Sequence, residues 1–194
     1  MVDASANKKD IFSRFLETYK SNKKKVLSSF LALITILLLT LYINHSNKKK
    51  NIAVSNKFNN AKILIEKKNF VKSKIYLLEV IEAKNKFYSP AALYLIIENN
   101  LEKEQEIILE LFDKILENKK IEKNKINLIK LKKVLFLFDL INEEEILNIL
   151  NPIINSESLW KRNAIILLAD YYKSKNEINK SEQLYKLLST INKS

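Results

Sequence analysis

An uncharged run near the start of the chain constrains the fold more than any other feature. Residues Val26 to Ile43 carry no charge, and lysines close the run on both sides, at positions 23–25 and 48–50. At ~1.5 Å rise per helical residue, the run would form a helix about 27 Å long. This length nearly matches the ~30 Å hydrocarbon core of a bilayer, and lysine side chains can extend across the difference. The run therefore predicts one transmembrane helix over residues 26–43.

Two other interpretations fit the run less well. A buried helix of a soluble core normally carries polar residues along one face, and this run has no charged residue on any face. A cleaved signal peptide has an apolar region of ~7–15 residues that ends at small residues. The segment Tyr42 to Ser46 offers no such cleavage site, and the 25 residues before the run are long for a signal peptide. An uncleaved anchor is therefore the interpretation that we expect to hold.

The distribution of charge also indicates a membrane. The formal net charge is +12, from 34 Lys and Arg and 22 Asp and Glu. Residues 1–50 hold ten Lys and Arg against three Asp and Glu (+7), whereas residues 51–194 hold 24 against 19 (+5). The basic excess is densest around the predicted span, where lipid head groups are anionic. Seven Lys and Arg lie in the 25 residues before the run and five in the 20 after it, so the positive-inside rule slightly favours a cytoplasmic N-terminus.

The composition excludes several kinds of active site. The chain has no cysteine, no glycine and a single histidine, His45, in the membrane flank. Disulfides, thiolate metal sites, a histidine triad and a glycine-rich phosphate loop are therefore impossible within it. Asp139 and Asp170 stand beside apolar residues, where a raised pKa could make either one an acid or base, but each more simply ends or faces outward from its helix. We expect no catalytic residue, no cofactor, no metal and no small-molecule substrate.

Helical spacing of apolar residues predicts an all-α chain. In the tail, Ile11 to Tyr19 form a short amphipathic pattern, with a partly helical cytosolic tail as the alternative. After the span there is no sustained alternation of apolar and polar residues and no hairpin turn. Eight helices are predicted there, over Asn51–Lys67, Phe70–Ala83, Pro90–Asn99, Lys103–Glu117, Glu122–Leu140, Glu143–Ile154, Ser158–Ser174 and Glu177–Thr190.

Three of these helices have local start or stop signals. Ser89 followed by Pro90 reads as a cap before a first-position proline. Asn142 precedes three glutamates, which suit the positive end of a helix dipole. Pro152 lies near the end of its helix, which it should kink or terminate.

The helices pair, and the pairs repeat. Small or apolar residues occupy comparable places in the second helix of each pair, at Ser73, Ile108, Ile146 and Ser181, separated by 35, 38 and 35 residues. A tetratricopeptide solenoid repeats every ~34 residues. The pattern thus predicts a degenerate tetratricopeptide-like solenoid of about four helix pairs. The domains are then a basic amphipathic cytoplasmic tail (1–25), a transmembrane helix (26–43), a basic flank (44–50) and a helical-repeat domain (51–194).

Two segments carry a resemblance to a known family, Phe87 to Leu95 and Leu159 to Tyr172. Together with the preceding anchor, they resemble the ancillary SecYEG translocon subunit (YfgM-like) family. The resemblance implies a single-pass protein of the bacterial inner membrane, with a cytoplasmic N-terminus and a periplasmic C-terminal domain. It implies docking on the SecYEG translocon and on periplasmic chaperones or secreted clients, without catalysis, and it transfers no site residue.

The leading function is a membrane-tethered protein-binding scaffold, because stacked helix pairs form a concave surface that holds a peptide or a helix. Candidate groove aromatics are Tyr94, Trp160 and Tyr171, although an aromatic residue at helical spacing is more often part of the core. One alternative is an envelope-assembly or cell-division coordinating adaptor. The other is a basic lipid or nucleic-acid binder, but outside the membrane flanks we find no basic stripe with aromatic residues among it, so no nucleic-acid partner is expected.

Overall fold

The computed structural model describes residues 22–191, apart from the side chains of Val26 and Ile191. Within that range the chain forms eight α-helices and no strand. The amphipathic tail helix predicted over Ile11 to Tyr19 lies outside the described residues. The helices are α1 (Lys23–Glu66), α2 (Phe70–Glu82), α3 (Tyr88–Glu98), α4 (Gln105–Leu116), α5 (Lys123–Phe136), α6 (Glu143–Ile154), α7 (Lys161–Ser174) and α8 (Ile178–Ile191).

The first helix is longer than predicted. A separate helix starting at Asn51 is wrong, because α1 runs without interruption from Lys23 to Glu66 and includes the basic flank 44–50. No glycine or proline occurs in this stretch to end a helix. A break would leave backbone N–H and C=O groups without intrahelical partners on both sides of it. Lysine and asparagine therefore continue the helix where only a change of composition suggested a boundary.

The chain divides into two compact units, Met1–Ile52 and Ala53–Ser194. In the first unit the apolar side chains of α1 are exposed, from Leu27 at 70% to Ile34 at 37%. Four hydroxyl groups in this unit donate to carbonyl oxygens three or four residues earlier: Ser28 and Ser29 to Lys25, Thr35 to Leu31 and Thr40 to Leu37, at 2.8–2.9 Å. These four hydroxyls therefore need no hydrogen-bond partner outside the helix.

In the second unit, helices that follow one another along the chain pack together, from α2 against α3 to α7 against α8. One buried cluster surrounds Phe112, and the other contains Ile146 and Ile165. Phe136 lies at the edge of both clusters. All four repeat positions are buried, at Ser73, Ile108, Ile146 and Ser181. The Ser73 hydroxyl donates to the Ala61 carbonyl at 2.9 Å, which marks a close approach of α1 and α2.

Two predicted helix ends are wrong for tertiary reasons. Ser89 is not the cap of α3: it is buried, and its hydroxyl donates to the Val80 carbonyl at 2.8 Å. The Asn85 side chain takes the capping role, because its Oδ1 accepts the N–H groups of Phe87 and Tyr88 at 2.9 and 3.0 Å. Helix α5 ends at Phe136, not Leu140, since the chain turns there to bury Leu137 and Ile141.

The start predicted for α6 is confirmed. The Asn142 side chain accepts the N–H of Glu145 at 2.8 Å, and three glutamates occupy the first turn. The helix continues through Pro152 and ends two residues later, at Ile154. The proline thus lies in the last turn, where the helix stops.

Ion pairs join helices across the second unit. The Lys57–Glu79, Lys114–Glu82 and Lys133–Asp113 pairs each link two different helices, and each has a half-exposed carboxylate, so each contributes little to stability. The Lys74–Glu102 pair differs, since the Glu102 side chain is only 8% exposed. Its carboxylate accepts from Lys74 and from the backbone N–H groups of residues 103 and 104, and these bonds, led by the one from Lys74, lower the pKa of Glu102.

Four of the residues that the structure describes take the left-handed conformation that normally favours glycine. Their φ angles are 58° at Lys68, 47° at Lys84, 50° at Asn100 and 62° at Asn176. Each follows a helix end, and the N–H of Lys84 bonds the Ile81 carbonyl at 3.0 Å in the manner of a left-handed helix cap. With no glycine in the chain, lysine and asparagine carry the strain of these turns.

We expect Lys84→Gly to raise the free energy of unfolding by ~0.5–1 kcal/mol, because glycine removes the Cβ clash that a positive φ imposes. Urea unfolding of the full chain in detergent, followed by circular dichroism, measures the change. Asn100→Gly is the matched control and should give a smaller gain, since asparagine tolerates this conformation better. A loss of stability in Lys84→Gly would contradict the proposed strain.

Candidate functional site

The three predicted groove aromatics do not meet in one groove. Tyr94 lies on α3, half-buried, at a cleft between α3, α4 and α5. Trp160 directly precedes α7 and packs, half-buried, against the C-terminal core cluster. Tyr171 belongs to that core: it is 3% exposed, and its hydroxyl donates to the Ile141 carbonyl at 3.2 Å. Of the three, Tyr94 is the one that lines the cleft between α3, α4 and α5.

The cleft at Tyr94 is mostly apolar and has a volume of about 250 Å³. Leu135 is 59% exposed at its rim. The rings of Phe112 and Phe136 lie 6.1 Å apart between their centroids. Lys132 and Glu98 supply its charged groups. The full lining comprises Tyr94, Ile97 and Glu98 from α3, Phe112 from α4, and Lys132, Leu135 and Phe136 from α5.

The hydroxyl of Tyr94 is buried without a hydrogen-bond partner. Burial raises the pKa of this phenol to about 12. An unsatisfied buried hydroxyl costs ~1–3 kcal/mol relative to one that is paired. Its ring face is occupied instead, since the Nζ of Lys132 lies 4.0 Å from the ring centroid.

A second lysine–aromatic pair repeats this contact along the same two helices. The Nζ of Lys125, on α5, lies 4.2 Å from the ring centroid of Phe87, which directly precedes α3. Both members of this pair come seven residues before Tyr94 and Lys132. We call the surface formed by Phe87, Tyr94, Lys125 and Lys132 the α3–α5 strip. Sequence reasoning found Tyr94 alone. The equal spacing of seven residues identifies the others only once α3 and α5 are known to lie side by side.

A second cleft, of about 460 Å³, lies between α6, α7 and α8. Lys180 binds Glu143 and Glu177, each at 2.7 Å, and Tyr172 donates to Glu143 at 2.8 Å. The bonds from Lys180 and then Tyr172 lower the pKa of Glu143, whereas burial, followed by the bond to Glu143, raises the pKa of Tyr172 to about 12. These four groups bond one another and so link α6, α7 and α8.

The carboxylates considered for acid–base chemistry are both exposed. Asp139 and Asp170 both face solvent, which confirms the outward-facing interpretation of these residues. Asp170 accepts from the hydroxyl of Tyr185 at 2.5 Å. Within residues 22–191, no three His, Asp or Glu side chains gather in an arrangement that could hold a metal ion.

Comparison with known proteins finds no match to a family model, a curated protein or a solved structure. The resemblance to the ancillary translocon subunit family thus rests on the order of sequence features alone.

The same substitution at Tyr94 and at Tyr171 tests whether their hydroxyl groups differ in hydrogen bonding. Tyr94→Phe should raise the free energy of unfolding by ~1 kcal/mol, because it removes an unpaired buried hydroxyl. Tyr171→Phe should lower it by ~1 kcal/mol, because it leaves the Ile141 carbonyl without its partner. Urea unfolding of the full chain in detergent measures both. Shifts of the same sign would contradict the assigned hydrogen bonding.

Proposed function

We propose that this protein is a non-catalytic, membrane-tethered scaffold that binds other proteins through its C-terminal helical domain. The observation that carries the proposal is the apolar part of α1. By length and composition α1 is the one helix among the described residues that could cross a membrane, and none of its most apolar window is buried in protein. The hydrocarbon core of a bilayer would remove the apolar side chains of α1 from water.

We further propose that residues 53–194 stack as a degenerate tetratricopeptide-like solenoid. Two observations support this arrangement. Helices adjacent in the chain pack against one another, and the repeat positions on α2, α4, α6 and α8 are all buried. In such a stack each helix pair contacts mainly its neighbours, and the accessible surface is available to a partner.

The partner and location proposed are those implied by the family resemblance. The N-terminus would be cytoplasmic and the helical domain periplasmic, at the bacterial inner membrane. The domain would bind the SecYEG translocon, periplasmic chaperones or secreted clients. The slight excess of lysine and arginine before the span supports this orientation.

Photo-crosslinking in native membranes tests this function. A photoreactive amino acid replaces Leu135, on the rim of the cleft, or Leu159, a still more exposed leucine outside it. We expect covalent adducts with translocon subunits, chaperones or clients from position 135 and few from position 159. The adducts should persist when residues 26–43 are replaced by an unrelated transmembrane segment.

Two results would contradict the proposal. An absence of protein adducts from position 135 would reject a scaffold that acts through this cleft. Adducts confined to envelope-assembly or cell-division proteins would reject the translocon role in favour of the adaptor alternative.

A further inference from the structure

We propose that the α3–α5 strip binds an extended acidic peptide segment of a partner protein. Two carboxylates of the segment, three residues apart, pair with Lys125 and Lys132. An apolar side chain beside one of them enters the cleft at Tyr94. This inference rests on the proposed scaffold function and specifies the chemistry of its partner.

The spacing of the two lysines sets the spacing of the acids. Lys125 and Lys132 are seven residues apart on α5, which is about 10.5 Å along a helix axis. Their ammonium groups have similar placements over Phe87 and Tyr94, at 4.2 and 4.0 Å, so the side chains keep roughly this separation. A peptide in the extended polyproline II conformation has three residues per turn and advances ~3.1 Å per residue, so acids three residues apart lie on one face, about 9 Å apart.

Both ammonium groups have capacity left for a carboxylate. Each carries three N–H donors, and a ring face occupies only one side of the group. Within the described residues Lys132 has no carboxylate within 4 Å, and Lys125 has only Glu122 of its own helix, at 3.9 Å. By contrast, Lys114 and Lys133 are already paired with acids of neighbouring helices.

The apolar rim adds a second determinant beside Lys132. Leu135 follows it by three residues on α5 and is 59% exposed, next to the cleft of about 250 Å³. This volume accepts one large apolar side chain. At the other end of the strip, Phe87 is also 56% exposed. The strip thus presents cations over aromatic rings, with an anchoring cleft at one end.

Single-stranded nucleic acid fits this surface less well, although lysines and aromatic rings also occur in its binding sites. Bases stack on open ring faces, but lysines cover one face of both rings in the strip. Glu98 lines the cleft and Glu122 lies beside Lys125. A continuous phosphate chain would meet these carboxylates, whereas a peptide with two separate acids can place neutral residues opposite them.

Fluorescence anisotropy with the full chain in detergent micelles tests the inference. One probe is the rhodamine-labelled, amidated peptide Ser-Glu-Ser-Ser-Glu-Leu-Ser. The control peptide, Ser-Ser-Ser-Glu-Glu-Leu-Ser, has the same composition but adjacent acids. We expect the first peptide to bind about fivefold more tightly, and its affinity to fall with added NaCl.

Substitutions in the α3–α5 strip test which of its residues contact the peptide. Lys125→Gln and Lys132→Gln should each weaken binding of the first peptide about two- to fivefold, as expected for exposed ion pairs. Lys123→Gln, the same charge change at an exposed position of α5, should leave the affinity unchanged. Tyr94→Ala should weaken binding, because it removes the ring beneath the Lys132 ammonium group.

Three outcomes would overturn the inference: equal affinity for the two peptides, no binding of either, or an equal loss in Lys123→Gln and Lys132→Gln. A single-stranded oligonucleotide that binds more tightly than the first peptide, and loses affinity through the same lysine variants, would also overturn it. If crosslinks from position 135 to proteins persist while neither peptide binds, the scaffold function stands and the acidic-peptide inference fails. If both are absent, both proposals fail.

Discussion

The solvation of the apolar part of α1 is the constraint on which the rest of the account depends. Every apolar side chain from Leu27 to Ile43 that the structure describes is exposed, and none of the most apolar window is buried in protein. Burial of apolar surface is worth ~25 cal/mol per Å², so this helix is costly to keep in water. Its backbone is satisfied internally, and its serine and threonine hydroxyls bond carbonyl oxygens of the same helix. The backbone and these hydroxyls therefore need no water partner, as a segment that crosses a bilayer requires.

The absence of glycine shapes the second unit. Lys68, Lys84, Asn100 and Asn176 take the left-handed turns after helices that glycine would normally supply. The turns are short, so successive helices pack against one another and bury two apolar clusters. Polar links between helices, such as the bond from Asn118 to the Lys84 carbonyl, join helix ends to neighbouring turns. Stability is thus assembled from local helix pairs, which leaves clefts between them open to a partner.

The sequence predicts the helices well because their apolar periodicity is strong, and it locates the Asn142 cap because that interaction is local. The prediction fails at helix ends whose positions do not follow from the local sequence. Ser89 carries a cap signature, but its hydroxyl bonds the previous helix. A change of composition at residue 50 resembles a boundary, yet lysine and asparagine do not end a helix, and α1 continues to Glu66.

The site is predicted less completely than the fold. Tyr94 and Tyr171 are both aromatic residues at helical spacing, and only the packing of neighbouring helices shows that one lines a cleft while the other is buried. The lysines over Phe87 and Tyr94 come from α5, about 38 residues further along the chain, so no local pattern joins them to the aromatic residues. Their common spacing of seven residues is visible only once the two helices are known to be neighbours.

Alkaline carbonate extraction of membranes from cells that produce the full chain tests the central claim most directly. We expect the protein to stay in the membrane pellet with its N-terminus uncleaved. A Leu33→Lys, Leu37→Lys double variant should be released, because each charge at the centre of a span costs ~2.5–3.5 kcal/mol. The control Ile63→Lys, an exposed position of α1 outside the apolar run, should stay in the pellet. Release of the unmodified protein, or a mature N-terminus beyond Ile43, would contradict the account.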